Sequence, residues 1–174
     1  MKQADPRTDE VFVRLMRDHE KAVFALALGR LRNVHDAQDV AQEVFVEAFR
    51  NIHKIRDPKK AFAWLFKATT YRCKDRLRKA FRQEKREQEY ATVTDSAVAM
   101  QFEERSDDGV FDAISLLQEE NRVVVMLRYF AGLSYVEISK ITGLSKTKID
   151  WRLRTAKKDL RKRLTEMIAR GDGT

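Results

Sequence analysis

The sequence predicts an all-α protein made of two small helical domains joined by a flexible linker. Three observations carry that reading. Gly and Pro are scarce, six and two among 174 residues, so few positions break a helix. Long stretches repeat apolar residues at helical spacing, and none sustains the alternation of a half-buried strand. Charge also comes in blocks: net −2 over residues 1–49, +9 over 50–90, −5 over 91–144 and +6 over 145–174. Two basic blocks are thus separated by an acidic spacer.

In chain order, a first helix is expected over Asp9–Leu31, with Val11, Leu15, Val23, Leu26 and Leu31 among its apolar positions. A second starts at Asp36 and runs to Asn51, a short third lies near Pro58–Lys60, and a fourth spans Ala61–Gln88. Together they make an N-terminal domain, residues 1–87. The stretch QEYATVTDSAVAMQFEERSDDG, Gln88 to Gly109, is weakly patterned and closes on an Asp-Asp-Gly turn signal, so 88–109 reads as the linker. The C-terminal domain, 110–170, holds helices at Phe111–Leu117, Glu120–Ala131, Tyr135–Thr142 and Lys146–Ala169, followed by a 171–174 tail.

Composition narrows the function. Charged residues make up 36% of the chain and the net charge is +8, which suggests a polyanionic partner. The single cysteine, Cys73, allows no internal disulfide and reads as a buried small residue, in keeping with a cytoplasmic location. No apolar run approaches the length of a membrane span, so no membrane insertion is expected. The three histidines are scattered, and neither a Gly-rich phosphate loop nor a Ser-His-Asp pattern is present. No enzyme activity, metal or cofactor is expected.

The clearest signal is GLSYVEISKITGLSKTKIDWRL. Ser134 with Glu137 forms a capping box, so a helix starts at Tyr135. Gly143 suits a sharp turn, and Ser145 can cap the next helix. Ile149, Leu153, Ala156, Leu160 and Leu164 then make one core-facing stripe, while Trp151, Arg154 and Lys158 fall on the opposite face. This is a helix-turn-helix. Its second helix would enter the major groove and present N-terminal residues to base edges. Ser145, Lys146, Thr147, Asp150 and Trp151 are the candidate readers; Arg152, Arg154, Lys157 and Lys158 are placed for phosphates, and Lys148 joins the same DNA-binding set. Asp150 could accept a hydrogen bond from cytosine N4, or pair with Lys146 or Arg154 along the helix.

The N-terminal domain carries two further patterns. On the 36–51 helix, Val40, Val44, Phe45, Ala48 and Phe49 can face inward, and Asp36, Asp39, Gln42, Glu43 and Glu47 line much of the rest. An acidic face in a basic protein suits a basic protein partner better than DNA. The 61–88 helix mixes aromatic residues with cations, the combination that single-stranded DNA needs: rings stack on bases and cations follow the backbone.

The run VVVMLRYFAGLSYVEIS with the basic helix after it resembles the C-terminal domain of the extracytoplasmic-function (ECF) sigma factors of bacterial RNA polymerase. DAQDVAQEVFVEAFRNI resembles the polymerase-binding helix of that family, and FAWLFKATTYRCKDRLRK its promoter-melting and −10-reading helix. The resemblance spans Asp9 to Leu164. It implies that Asp36, Asp39, Gln42, Glu43 and Glu47 dock on the clamp helices of the polymerase β′ subunit. It also implies that Arg56, Lys59, Lys60, Trp64, Lys67, Tyr71, Arg72, Lys74, Arg76 and Arg78 serve −10 recognition and melting, with the loop HKIRDPKKA shaping a base pocket. The C-terminal domain would read the −35 element and touch the β-flap, and an anti-sigma factor is an expected partner. Departures from the family pattern fall at Thr70-Tyr71, Gln118 and Asp150-Trp151, and bear on the promoter sequence. Two other readings are a sigma-like mimic that sequesters an anti-sigma factor and a stand-alone helix-turn-helix regulator.

Overall fold

Three long helices form the N-terminal part of the chain. In the computed structural model, which describes residues 6–52, 58–91 and 109–170, they are α1 (Pro6–Leu31), α2 (Val34–Asn51) and α3 (Pro58–Ala91). A two-residue turn joins α1 to α2. Arg32 takes the left-handed conformation at φ 61° and its N–H closes on the Leu28 carbonyl at 3.0 Å. Asn33 then caps α2, its side chain accepting from the Asp36 N–H at 2.9 Å. Val23 and Leu26 of α1, Val40 and Val44 of α2, and Leu65 and Cys73 of α3 are buried together. Burial pushes the Cys73 thiol up to about 12, as expected for a small apolar packing residue.

Two helices expected between Pro58 and Gln88 are one. Pro58 occupies the first turn of α3, where a missing N–H leaves no intrahelical bond unmade. The same helix continues to Ala91, past the start expected for the linker; residues 92–108 lie outside the described residues. Phe49, expected to face inward, is 45% exposed and meets Phe12 edge-on with ring centroids 5.0 Å apart.

The C-terminal part comprises α4 (Gly109–Ser115), α5 (Glu119–Val125), a π-helical turn at Met126–Phe130, α6 (Tyr135–Thr142) and α7 (Lys146–Arg170). The helix expected to run without a break over Glu120–Ala131 changes winding after Val125. The Ala131 N–H reaches five residues back to the Met126 carbonyl at 3.1 Å, the wide turn often found where a helix presents side chains for contact. It leaves Tyr129 and Phe130 half exposed.

The two parts share one hydrophobic cluster, and α1 lies directly against α5. Gly29 permits that approach: a Cβ there would stand 2.9 Å from the Val123 Cα. Beside it the buried Arg122 donates to the Gly29 carbonyl at 2.7 Å and to the carbonyls of Ser115 and Leu117. Burial, with Arg32 nearby, lowers the Arg122 pKa to about 10, so it stays charged at neutral pH. Arg30 pairs with Glu119 at 2.7 Å, and Phe24 meets Phe130 with centroids 5.8 Å apart. A buried charge is tolerable when its donors are matched, and three carbonyls match this one.

Candidate nucleic-acid and partner interfaces

The helix-turn-helix forms as its local signals require. The Ser134 hydroxyl accepts from the Glu137 N–H at 3.3 Å, and the Glu137 carboxylate accepts from the Ser134 N–H at 2.8 Å. Hydrogen bonds from the Ser134 hydroxyl and N–H hold the Glu137 carboxyl below the usual carboxylate range. Gly143 ends α6 in the left-handed conformation at φ +74°. Ser145 starts α7 by accepting from the Lys148 N–H at 3.2 Å. Ile138, Ile149, Leu153 and Ala156 lock α6 against α7 in the core.

On the outer face of α7, Ser145, Lys146, Thr147, Lys148, Trp151, Arg154 and Lys158 are exposed. Trp151 is 51% exposed, with the Lys148 ammonium 4.2 Å from its ring centroid, a cation–π contact that keeps ring and charge together. Asp150 is engaged on both oxygens: Tyr135 donates to one at 3.3 Å and Arg154 approaches the other at 2.9 Å. Arg152 is turned inward. Its side chain is 14% exposed and lies 3.6 Å from Glu120, and it donates to the Asn121 side-chain amide oxygen Oδ1 at 3.2 Å.

On α3 the candidate residues divide into two sets. At about 100° per residue, Lys60, Lys67, Tyr71, Lys74 and Arg78 lie within roughly 60° of one another, and all five are exposed. Tyr71, 67% exposed, sits in the middle of this basic stripe. Trp64 is half-buried at its edge. Phe81 is a further aromatic, also 67% exposed, that sequence reading passed over; its signal was its place among Arg78 and Arg82. Arg56 and the side chain of Lys59 lie outside the described residues. Arg72 and Arg76 point elsewhere, towards α2. Arg76 donates to Asp36 at 2.6 Å, Asp39 at 3.2 Å and Glu43 at 3.1 Å. Arg72 donates to Glu43 at 3.3 Å and Glu47 at 2.9 Å.

The acidic residues of α2 thus form one row facing α3, still part exposed. Gln42, grouped with them by sequence, stands instead on the wall of an open groove between α1 and α2. That groove measures about 1000 Å³ and is walled chiefly by Phe12, Met16, Phe24, Phe45, Phe49 and Phe130. Among the described residues no cluster of three or more His, Cys, Asp or Glu could hold a metal. No helix among them is long and apolar enough to cross a membrane.

Comparison with known proteins gives this geometry a family. The model of sigma-70 region 2 matches residues 15–83, and that of sigma-70 region 4 matches residues 109–160. The ECF RNA polymerase sigma factor SigK of Mycobacterium tuberculosis is 30% identical over 155 residues, covering 83% of this chain and 81% of its own. The ECF RNA polymerase sigma factor SigW of Bacillus subtilis is 27% identical over 184 residues, covering 96% of each. Among solved structures, the sigma factor RpoE in complex with the anti-sigma factor NepR from Bartonella quintana superposes with a TM-score of 0.64 at 22% identity, covering 90% of this chain and 98% of that one. CnrH in complex with the cytosolic domain of CnrY gives 0.59 at 25% identity, covering 91% and 90%. Both regions are matched in order, and they contain the helices that carry the candidate surfaces. The chain belongs to the ECF family of RNA polymerase sigma factors, which are transcription initiation factors and not enzymes.

Proposed function

We propose that this chain docks core RNA polymerase through the acidic row of α2, reads the −35 element with α7, and handles the −10 element along α3. The observation that carries the reading is the separation of charge: two outward basic helical faces and one acidic face in the same chain. On α7, Lys146, Thr147, Lys148 and Trp151 face base edges, while Arg154, Lys157 and Lys158 hold phosphates and set affinity. Both Asp150 oxygens are engaged within the domain, which supports a role for Asp150 in bracing Arg154 and Tyr135 rather than in base reading. On α3, the Lys60–Arg78 stripe follows the strand backbone, and Tyr71 offers a ring on which an unpaired base can stack.

The β′ clamp helices are the proposed site for the acidic row, and the β-flap for the C-terminal domain. The cytoplasm, where core polymerase works, is the proposed location. The apolar groove between α1 and α2 is the proposed seat of an anti-sigma segment. Its open, Phe-rich wall suits an amphipathic helix, and both structural relatives above were solved in complexes, one of them with a named anti-sigma factor. A mimic that only captures an inhibitor would have no use for two outward basic faces, and a stand-alone regulator none for the acidic row.

Gel shift with and without core polymerase tests the reading. Binding should be weak for the free chain and promoter-specific once core is added. Tight binding of a palindromic site by the free chain would overturn it.

A further inference from the structure

Arg72 and Arg76 are cations on a helix whose other cations, among the described residues, are exposed, yet both are committed to carboxylates 25 to 40 residues away in sequence. At about 100° per residue they lie roughly 120–160° round α3 from the Lys60–Tyr71–Arg78 stripe. On α2, Asp36, Asp39, Glu43 and Glu47 fall within roughly 80° of one another by the same count. Glu43 is shared, one oxygen to each arginine, so the contacts form a continuous ladder.

Four carboxylates at three- and four-residue steps repel one another. Two guanidinium forks, each able to bridge several oxygens in a fixed plane, are what permits that density. The balance is four negative charges against two positive, so the row stays net acidic. The carboxylate side chains also remain 39–60% exposed while paired. A basic partner would therefore meet carboxylates already held in place, with part of the ordering cost of binding met in advance.

We propose that Arg72 and Arg76 are positioning residues of the polymerase-docking face and make no contact with DNA. This rests on the docking reading above and assigns its regulation by geometry: the arginines fix the row, and the row meets the partner. The −10 strand is then left to Lys60, Lys67, Tyr71, Lys74 and Arg78.

The test uses the full chain with Arg76→Lys, alone and with Arg72→Lys. These changes keep the charge and remove the fork. Association and dissociation with bacterial core polymerase are measured, then promoter affinity of the holoenzyme at saturating core, and the melting temperature. The proposal expects dissociation from core to quicken about 5-fold for the single variant, with the association rate and holoenzyme promoter affinity unchanged. Reduced promoter affinity with unchanged core binding would make these residues DNA contacts and overturn it. A lower melting temperature with unchanged core dissociation would make the ladder a purely structural clasp and overturn it as well. Asp39→Arg runs alongside. If that variant binds core normally, the docking face itself is wrong, a failure distinct from intact docking that ignores the arginines.

Discussion

Gly29→Ala sets two opposite effects against each other. In a helix interior, Ala is favoured over Gly by about 1 kcal/mol, so an exposed site would gain stability. At Gly29 the new methyl would stand 2.9 Å from the Val123 Cα, 3.2 Å from its Cγ2 and 3.4 Å from its N. Two of those atoms are backbone, so no rotamer change relieves the contact and α5 must move. Overpacking of this kind costs roughly 1–3 kcal/mol. The same shift lengthens the 2.7 Å bond from Arg122 to the Gly29 carbonyl, and a buried charge-assisted bond contributes about 1.5–3 kcal/mol. The costs exceed the propensity gain by about 2 kcal/mol, which for a chain of this size lowers the melting temperature by roughly 4–8 °C. Thermal unfolding followed by circular dichroism measures this, and small-angle scattering should show a larger radius of gyration as α1 and α5 part. A variant more stable than the parent, with unchanged radius, would show that the α1–α5 seam is not this close in solution.

Other consequences follow from single contacts. Ser134→Ala removes the α6 cap and should cost about 1 kcal/mol at neutral pH. Because the folded Glu137 carboxyl lies below its unfolded value, that contribution is present above the unfolded pKa of about 4.3 and fades as pH falls through the folded one. The difference in stability between parent and variant should therefore narrow in acid, and a constant difference from pH 7 to pH 3 would contradict the pairing. Arg32→Gly relieves a left-handed residue at the end of α1 and should stabilise by about 0.5–1 kcal/mol; a lower melting temperature would show that the Arg32 side chain contributes more than its backbone costs. Cys73, buried with its thiol pushed to about 12, should resist iodoacetamide at pH 8 in the folded chain and react quickly in denaturant. Rapid labelling of the folded chain would contradict its burial.

The helix-turn-helix was legible because its determinants are local. Ser134, Glu137, Gly143 and Ser145 act within four residues of themselves, and the Ile149–Ala156 stripe is a matter of spacing. Trp151 could be placed outward on the same grounds. Arg152 was within reach of that logic too: it stands three residues after Ile149 and one before Leu153, on the flank of the buried stripe, and charge alone drew it into the DNA-binding set. The ladder of Arg72 and Arg76 was not legible, because its partners lie on another helix and only the packing of α2 on α3 brings them together. The placing of Gln42 in the groove has the same cause. The stretch from Pro58 misled in the other direction: read as a short helix at Pro58–Lys60 and a separate one from Ala61, it is a single long α3 that Pro58 starts. The α1–α5 seam depends on Gly29, Val123 and Arg122 meeting across about 90 residues of sequence, and no local pattern announces it.

Run-off transcription with core polymerase over a library of genomic fragments tests the central claim most directly, since it requires docking, −35 reading and −10 opening at once. The account predicts transcripts from a small set of fragments that share a −35 and a −10 element, and loss of those transcripts with Asp39→Arg. Binding to an anti-sigma factor without any core-dependent transcript from any fragment would contradict it.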